Sequence, residues 1–397
     1  MEEKYLQMTT VNNNNKYYHM IPESDTVWRA EYGRVGASPQ IARYPASKFS
    51  SKYNEKLRKG YQDVTLLHTK PDPQKKASAF KEIADKSVRD VINYLLSKQK
   101  RAVADNYLLS TSDVTQNMID EAERILDFLS QISVVYVFNQ YLMKLFNVLP
   151  RAMTQVSYYL AKSPDDFEEI LERERCLLDV LKSKVEQDNA VIDPDKTILE
   201  YYGIKMRACN NEEVDEVKGI LDESKDLYYK AWRVEDEEKD KIFKEFCRER
   251  SIRKKLLLCH GSRTENWFSI LTKGLLLRPN AVITGKLFGI GIYFAPKAKK
   301  SVGYTSLRSA YWTGGHSDYG FLAIMEVGYG TPHHVRKDAS HYGSMTEETF
   351  MKKYPGKACL HAHTGADMGR SQLRNDEIII YNSRQCRIKY LVELKAA

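Results

Sequence analysis

The chain lacks any apolar run approaching the ~20 residues that a membrane-spanning helix needs, so a transmembrane protein is not the reading. Its six cysteines (Cys176, Cys209, Cys247, Cys259, Cys359, Cys386) include no Cys-x-x-Cys pair, which argues against a disulfide framework or a cysteine-rich zinc finger and suits free thiols in a reducing compartment. There is no P-loop. Gly289-Ile290-Gly291 lacks the third glycine and following helix of a dinucleotide fingerprint, which excludes a cofactor fold of that type. The opening MEEKYLQMTT is acidic and polar, unlike a secretory signal or a transit peptide. What remains is a 397-residue chain with room for two or three domains. Its net charge of +8 suits a polyanionic partner or a merely solvated basic surface.

Residues 1–75 read as short strands followed by a basic helical piece in which Phe49, Tyr53 and Leu57 fall at helical spacing. Aromatic and basic side chains interleave there, among them Lys16, Tyr17, Tyr18, Trp28, Arg29, Tyr32 and Arg34. Cations can neutralise phosphates and aromatics can stack on sugars or bases, although the aromatics serve equally well as core. LHTKPDPQKK, residues 67–76, reads as a linker. Residues 76–190 are patterned as helices: Val88, Val91, Ile92, Leu95 and Leu96 in one, Ile119, Ala122, Ile125, Leu126 and Leu129 in the next. VVYVFNQYLMKLF is apolar nearly all round, and Ser163-Pro164-Asp165-Asp166 is a helix start. Residues 191–397 read as mixed and mainly β, with ILEYYGIKMRACN a strand and LLLCH, GIYFA, FLAIMEV, EIIIYN and CRIKYLVEL further strands.

The chemistry-bearing residues sit in this last part. His260-Gly261-Ser262 reads as a turn from strand to helix, where glycine admits a ligand to the backbone. Taken alone, such a histidine is more often a satisfied polar group, and Tyr293 and Tyr304 serve equally as core. Cys359-x-His361-x-His363, with His333, His334 and His341 upstream, could aim three ligands to one side of an extended segment. The spacing is no known structural zinc pattern, so the expectation is no metal and a surface loop that modulates acceptor access.

Taken together, LLCHGSRTENWFSILTKGL, TGKLFGIGIYFAPKAKKSVGYT and RNDEIIIYN resemble the catalytic domain of the poly(ADP-ribose) polymerases, with its His-Tyr-Glu triad, over the last two hundred residues. NNNKYY, VWRAEYGRVG and KGY resemble the WGR domain of the DNA-dependent members, with Tyr32-Gly33-Arg34 in place of Trp-Gly-Arg and Pro39 where glycine usually precedes Gln40. The segment between resembles their regulatory helical domain. The resemblance implies a multidomain α+β chain: a WGR-like β-sheet domain (1–75), an all-α helical bundle (76–190) and a mixed α/β ADP-ribosyltransferase domain of the diphtheria-toxin-like type (191–397).

It further implies that His260, Tyr293 and Glu377 are catalytic. NAD would be met by His260, Gly261, Ser262, Tyr293, Phe294, Ala295, Lys300, Ser301 and Tyr304. His260 and Ser262 would lie at the adenosine ribose, Gly261 and Ser301 at the nicotinamide amide, Tyr293 and Tyr304 on its ring, and Glu377 at the 2′-hydroxyl of the nicotinamide ribose. Asn15, Lys16, Trp28, Tyr32, Gly33 and Arg34 would meet the 5′-phosphate end of a DNA strand break. NAD is then a consumed substrate, with no permanently bound cofactor. Further partners are acceptor proteins including the chain itself, with no membrane. The protein would be nuclear in a eukaryotic host and otherwise cytoplasmic. The activity implied is DNA-break-activated polymer synthesis in the DNA-damage response, with a DNA-independent mono-transferase or an inactive DNA-end scaffold as alternatives.

Overall fold

The structure is a computed structural model that describes residues 1–11, 15–68, 79–277, 287–308, 310–311, 313–338, 341–367 and 372–396. Most of the expected linker at 67–76 therefore lies outside the described residues, as do residues 13–14 and 284–286 of the quoted motifs. Packing divides the chain into two compact units, residues 1–75 with 100–190 and residues 76–99 with 191–397.

In the first unit, strands β1 (Lys4–Met8), β2 (Lys16–Pro22), β3 (Val27–Arg34), β4 (Gln40–Pro45) and β5 (Gln62–Asp63) form an antiparallel sheet in the order β4-β3-β2-β1-β5. Strand alternation buries Trp28 and Ala30 while Arg29 and Glu31 face outward. Helix α1 (Phe49–Arg58) adds Phe49 to a core of Leu6, Tyr18, Met20, Trp28 and Ala30.

Helices follow: α2 (Lys86–Asn106), α3 (Gln116–Leu129), α4 (Val135–Val148) and α5 (Phe167–Asn189). The Thr115 hydroxyl caps α3 by accepting from the Met118 amide at 3.2 Å. Asp166 accepts from the Ser163 amide at 2.9 Å in the turn that opens α5. The all-apolar segment is the helix α4, which buries Phe138, Leu142, Leu145 and Phe146. A buried ion pair, Arg151 with Glu174, sits among these helices.

Residues 76–99 depart from the expected division. The apolar face of α2 formed by Val88, Val91, Ile92 and Leu95 belongs to the main core of the second unit, and the Ser87 hydroxyl accepts from the Trp232 indole at 2.9 Å.

The second unit contains α6 (Ile198–Tyr201), β6 (Ile204–Ala208), α7 (Asn211–Leu221), β7 (Tyr228–Asp236), α8 (Glu237–Glu249), β8 (Lys255–Ser262), α9 (Trp267–Lys273), β9 (Ile292–Phe294), α10 (Ala298–Val302), β10 (Tyr319–Gly328), β11 (Pro332–Val335), α11 (Glu347–Lys353), β12 (Cys359–Ala362), β13 (Glu377–Ile380) and β14 (Cys386–Lys395). Among the described residues these strands make two sheets, β6-β7-β14-β10-β8 and β11-β12-β13-β9. Two expectations are corrected here. ILEYYGIKMRACN is a short helix before it is a strand, because the Thr197–Glu200 capping box starts a helical turn at Ile198. His260-Gly261-Ser262 is not a turn. All three residues pair with Ala323, Leu322 and Phe321 of β10, and the chain leaves the strand only after Ser262.

Candidate active site

The two sheets of the second unit approach each other where β8 meets the end of β9. The amide and carbonyl of Cys259 and Ala295 exchange hydrogen bonds of 3.3 and 3.2 Å. One position along β8, the His260 ring nitrogen Nδ1 lies 3.2 Å from the Tyr293 carbonyl oxygen, which sets the ring against β9. Strand β9 pairs antiparallel with β13, Tyr293 opposite Ile379 and Phe294 opposite Ile378, so Glu377 heads the strand next to Tyr293.

The short helix α10 closes the arrangement. Lys300 forms an ion pair with Glu377, and both side chains are almost withdrawn from solvent, with 15% and 11% exposed. The Ser301 hydroxyl is buried and donates to the Cys259 carbonyl at 2.9 Å. A Cβ added to Gly261 would lie 1.8 Å from the Ser301 carbonyl oxygen, so the backbone of α10 rests directly on β8. His260, Gly261, Tyr293, Lys300, Ser301 and Glu377 are thus linked through hydrogen bonds, an ion pair or strand pairing. Burial pushes the Cys259 thiol up to about 12, which leaves no nucleophilic thiolate in the strand.

Individual placements divide the expected ligand contacts. The Tyr293 hydroxyl donates to the Gly289 carbonyl at 3.0 Å and accepts from the Phe288 amide at 3.0 Å. Burial holds this phenol far above its ordinary range, so it stays neutral. Its hydroxyl is committed to the 288–289 loop. Tyr304 is 38% exposed. Ser262 accepts from the Asn266 amide group at 3.0 Å. The Phe294 and Ala295 side chains are both buried, Phe294 in the main core, which leaves their backbone to face a ligand.

Asp376 and Glu377 diverge. Asp376 accepts from the Thr364 amide and hydroxyl at 2.8 and 2.7 Å. Burial works to raise its carboxyl, but the bonds from Thr364 and His361 outweigh it and bring it to about 2. The 359–363 segment was expected to be a surface loop. Residues 359–362 are instead strand β12, because they pair with β11 and β13 and bury Cys359, Leu360 and Ala362. Sequence reasoning did not single out Asp376 as a partner of these histidines; the signal was its place immediately before Glu377, where the chain enters β13.

The expected DNA-contacting residues separate in the first unit. Trp28 is fully buried, stacks on Tyr44 at 4.8 Å and donates to the Pro45 carbonyl at 3.2 Å, so it cannot reach a phosphate. Asn15 is also buried: its side-chain oxygen accepts from Thr9 at 2.7 Å and its amide donates to the Arg151 carbonyl at 3.3 Å. Tyr32 packs half-buried beside Tyr18 at 5.5 Å. Lys16 and Arg34 are cross-strand neighbours, opposite each other in β2 and β3 with Tyr17 opposite Gly33, and Arg34 is exposed.

Comparison with known proteins places these observations. Residues 211–396 match the family model described as the poly(ADP-ribose) polymerase catalytic domain. Uncharacterized protein 101L of Invertebrate iridescent virus 6 is 28% identical over 55% of this chain and 95% of its own length. Putative poly [ADP-ribose] polymerase-like 100L of the same virus is 28% identical over 48% of this chain and 99% of its own. Poly [ADP-ribose] polymerase 1 of Gallus gallus is 29% identical over 55% of this chain, and the match spans 22% of that relative's length.

Proposed function

We propose that the chain, whose residues 211–396 match the poly(ADP-ribose) polymerase catalytic-domain model, is an NAD+ ADP-ribosyltransferase that transfers ADP-ribose from NAD to protein acceptors, itself included, and extends it into polymer when it meets a DNA strand break. The observation that carries the reading is the linked set His260, Tyr293, Lys300, Ser301 and Glu377 within that domain.

The chemistry follows from the residues. The bond between nicotinamide and ribose breaks, its electron pair leaves on the nicotinamide nitrogen, and an acceptor oxygen attacks the ribose carbon and gives up its proton. Nicotinamide leaves neutral and needs no acid. What the protein has to supply is negative charge close to the cationic ribose, as in glycoside chemistry. Glu377 is the carboxylate for that task, and Lys300 holds it in place. The Ser301 proton is engaged by Cys259, so its free lone pairs accept from the nicotinamide amide. The Tyr293 ring supports nicotinamide from β9, with the exposed Tyr304 ring opposite.

On the DNA side, burial of Trp28 and Asn15 narrows the contact to Arg34 and Lys16, with Tyr32 as support. Cations of this kind position a protein on a phosphate without reading sequence. A role in the DNA-damage response follows, in the nucleus of a eukaryotic host. The test is incubation of the full chain with labelled NAD, with and without nicked 5′-phosphorylated DNA, resolved on a gel. Turnover should rise strongly with DNA and give a polymer ladder; equal turnover overturns DNA activation, and single ADP-ribose units overturn polymer synthesis. Arg34→Ala is expected to weaken DNA binding about tenfold or more, the loss of one charged hydrogen bond, while turnover without DNA is unchanged. An unaltered DNA response would remove Arg34 from the interface.

A further inference from the structure

The geometry assigns a divalent transition-metal site to His334, His361 and His363, outside the linked set around Glu377. Strands β11 and β12 run parallel with His334 opposite His361, so the two side chains share a face. His363 follows His361 by two positions and stays on that face. Its amide donates to the Val335 carbonyl at 2.9 Å, which prolongs the ladder past the strand end. One nitrogen from each of the three rings lies within 4.8 Å of the other two. His334 Nδ1 and His363 Nε2 face each other at 2.8 Å.

The surroundings are those of a ligand set. When a histidine binds a metal, its other ring nitrogen is usually held by a carboxylate, carbonyl or water. His363 Nδ1 is 3.1 Å from Asp376 Oδ2, which leaves Nε2 for a metal. His361 Nδ1 is 2.8 Å from the Tyr329 hydroxyl, which leaves Nε2, 3.0 Å from the same Asp376 oxygen. The other Asp376 oxygen is tied to Thr364, so the carboxylate is oriented in advance.

Three imidazoles beside an oriented carboxylate suit zinc, whose tetrahedral ligand nitrogens stand about 3.3 Å apart at the usual Zn–N length. The facing nitrogens need to part by only a few tenths of an ångström. Nearby candidates fall outside the set. The Cys359 thiol donates to the Tyr329 carbonyl at 3.3 Å, and burial pushes it up to about 12. His333 stacks on Tyr354 at 3.7 Å, and His341 pairs with Asp338 at 3.0 Å.

The location gives the site a consequence. Asp376 immediately precedes Glu377, and Ala362 pairs with Glu377. A metal at the three histidines would fasten β11, β12 and the residue before β13 at the end of the strand that carries Glu377. Metal binding itself is independent of the proposed transferase reaction and is read without it.

The test uses tag-free full-length protein, stripped with a chelator and titrated with Zn2+ against a chromophoric competitor, and with Co2+ for its visible spectrum. One Zn2+ per chain and a tetrahedral Co2+ spectrum are expected. Both should vanish in the His361→Ala/His363→Ala double variant and persist in His341→Ala. Asp376→Asn should weaken Zn2+ binding about 10–100-fold. A wild-type chain that takes up no Zn2+ and gives no tetrahedral Co2+ spectrum overturns the site, whatever the variants do. So does a folded double variant that still binds one equivalent.

Discussion

Replacing Glu377 by glutamine is expected to abolish polymer while NAD still binds. The side chain heads β13, and only 11% of it is exposed, facing Lys300. Glutamine has the same shape and keeps an oxygen for a ribose hydroxyl. What it loses is the negative charge, which matters little to the ground state and most when the ribose becomes cationic. Removing one such group from a preorganised site typically costs on the order of 10²–10³ in rate. The drop should appear in kcat, with the binding constant for NAD moved little. Loss of the carboxylate also leaves the Lys300 ammonium without its anionic partner, so thermal unfolding of the variant belongs in the same experiment. Nicotinamide release and gel-resolved polymer length are the readouts. Long polymers from Glu377→Gln would remove the residue from the reaction.

Much of the second unit's organisation was legible in local pattern. The strands around Ile292–Phe294, Tyr319–Gly328, Glu377–Ile380 and Cys386–Lys395 follow β-branched and aromatic runs. The strand β7 and the short β11 were missed. Each interrupts its apolar residues with charged or polar ones, and their identity comes from partners elsewhere in the chain.

Site contacts were illegible for a related reason. Lys300 and Glu377 are separated by 77 residues, Cys259 and Ser301 by 42, and His334 and His363 by 29. Strand pairing and the packing of α10 on β8 bring them together. The expected contacts at Trp28 and Asn15 stand apart, because both side chains are buried. Composition counted an aromatic among basic residues as a candidate contact, whereas the period-two pattern Trp28, Ala30, Tyr32 against Arg29, Glu31 marks which face goes inside. Arg34 falls in phase with Trp28 and is exposed because it ends the strand, so alternation releases Trp28 but does not by itself mark Arg34. The assignment of α2's first half turned on the same question, since an apolar stripe states that a face is buried but not against what.

Gly261→Ala should damage both stability and NAD use, more than its single methyl suggests. Gly261 lies inside β8 opposite Leu322, in a conformation that other residues adopt, so strain in its own backbone is not the reason. The reason is the neighbour. A Cβ there would stand 1.8 Å from the Ser301 carbonyl oxygen and 2.8 Å from its carbonyl carbon, and backbone cannot rotate aside as a side chain would. Either α10 lifts away from β8 or β8 shifts against β10. The first breaks the Ser301–Cys259 hydrogen bond and carries Lys300 away from Glu377; the second disturbs His260, one residue along. Overpacking of this sort costs about 1–3 kcal/mol. In a domain of this size that lowers Tm by roughly 2–4 °C for each kcal/mol. Gly219→Ala is the control, since nothing lies within 4 Å of a Cβ at that position, and alanine on α7 should hold or slightly raise Tm. The decisive comparison is NAD turnover at a temperature where both variants are fully folded. Gly261→Ala is expected to be defective there and Gly219→Ala normal. A folded Gly261→Ala protein with wild-type Tm and turnover would mean that α10 does not rest on β8 in the working enzyme.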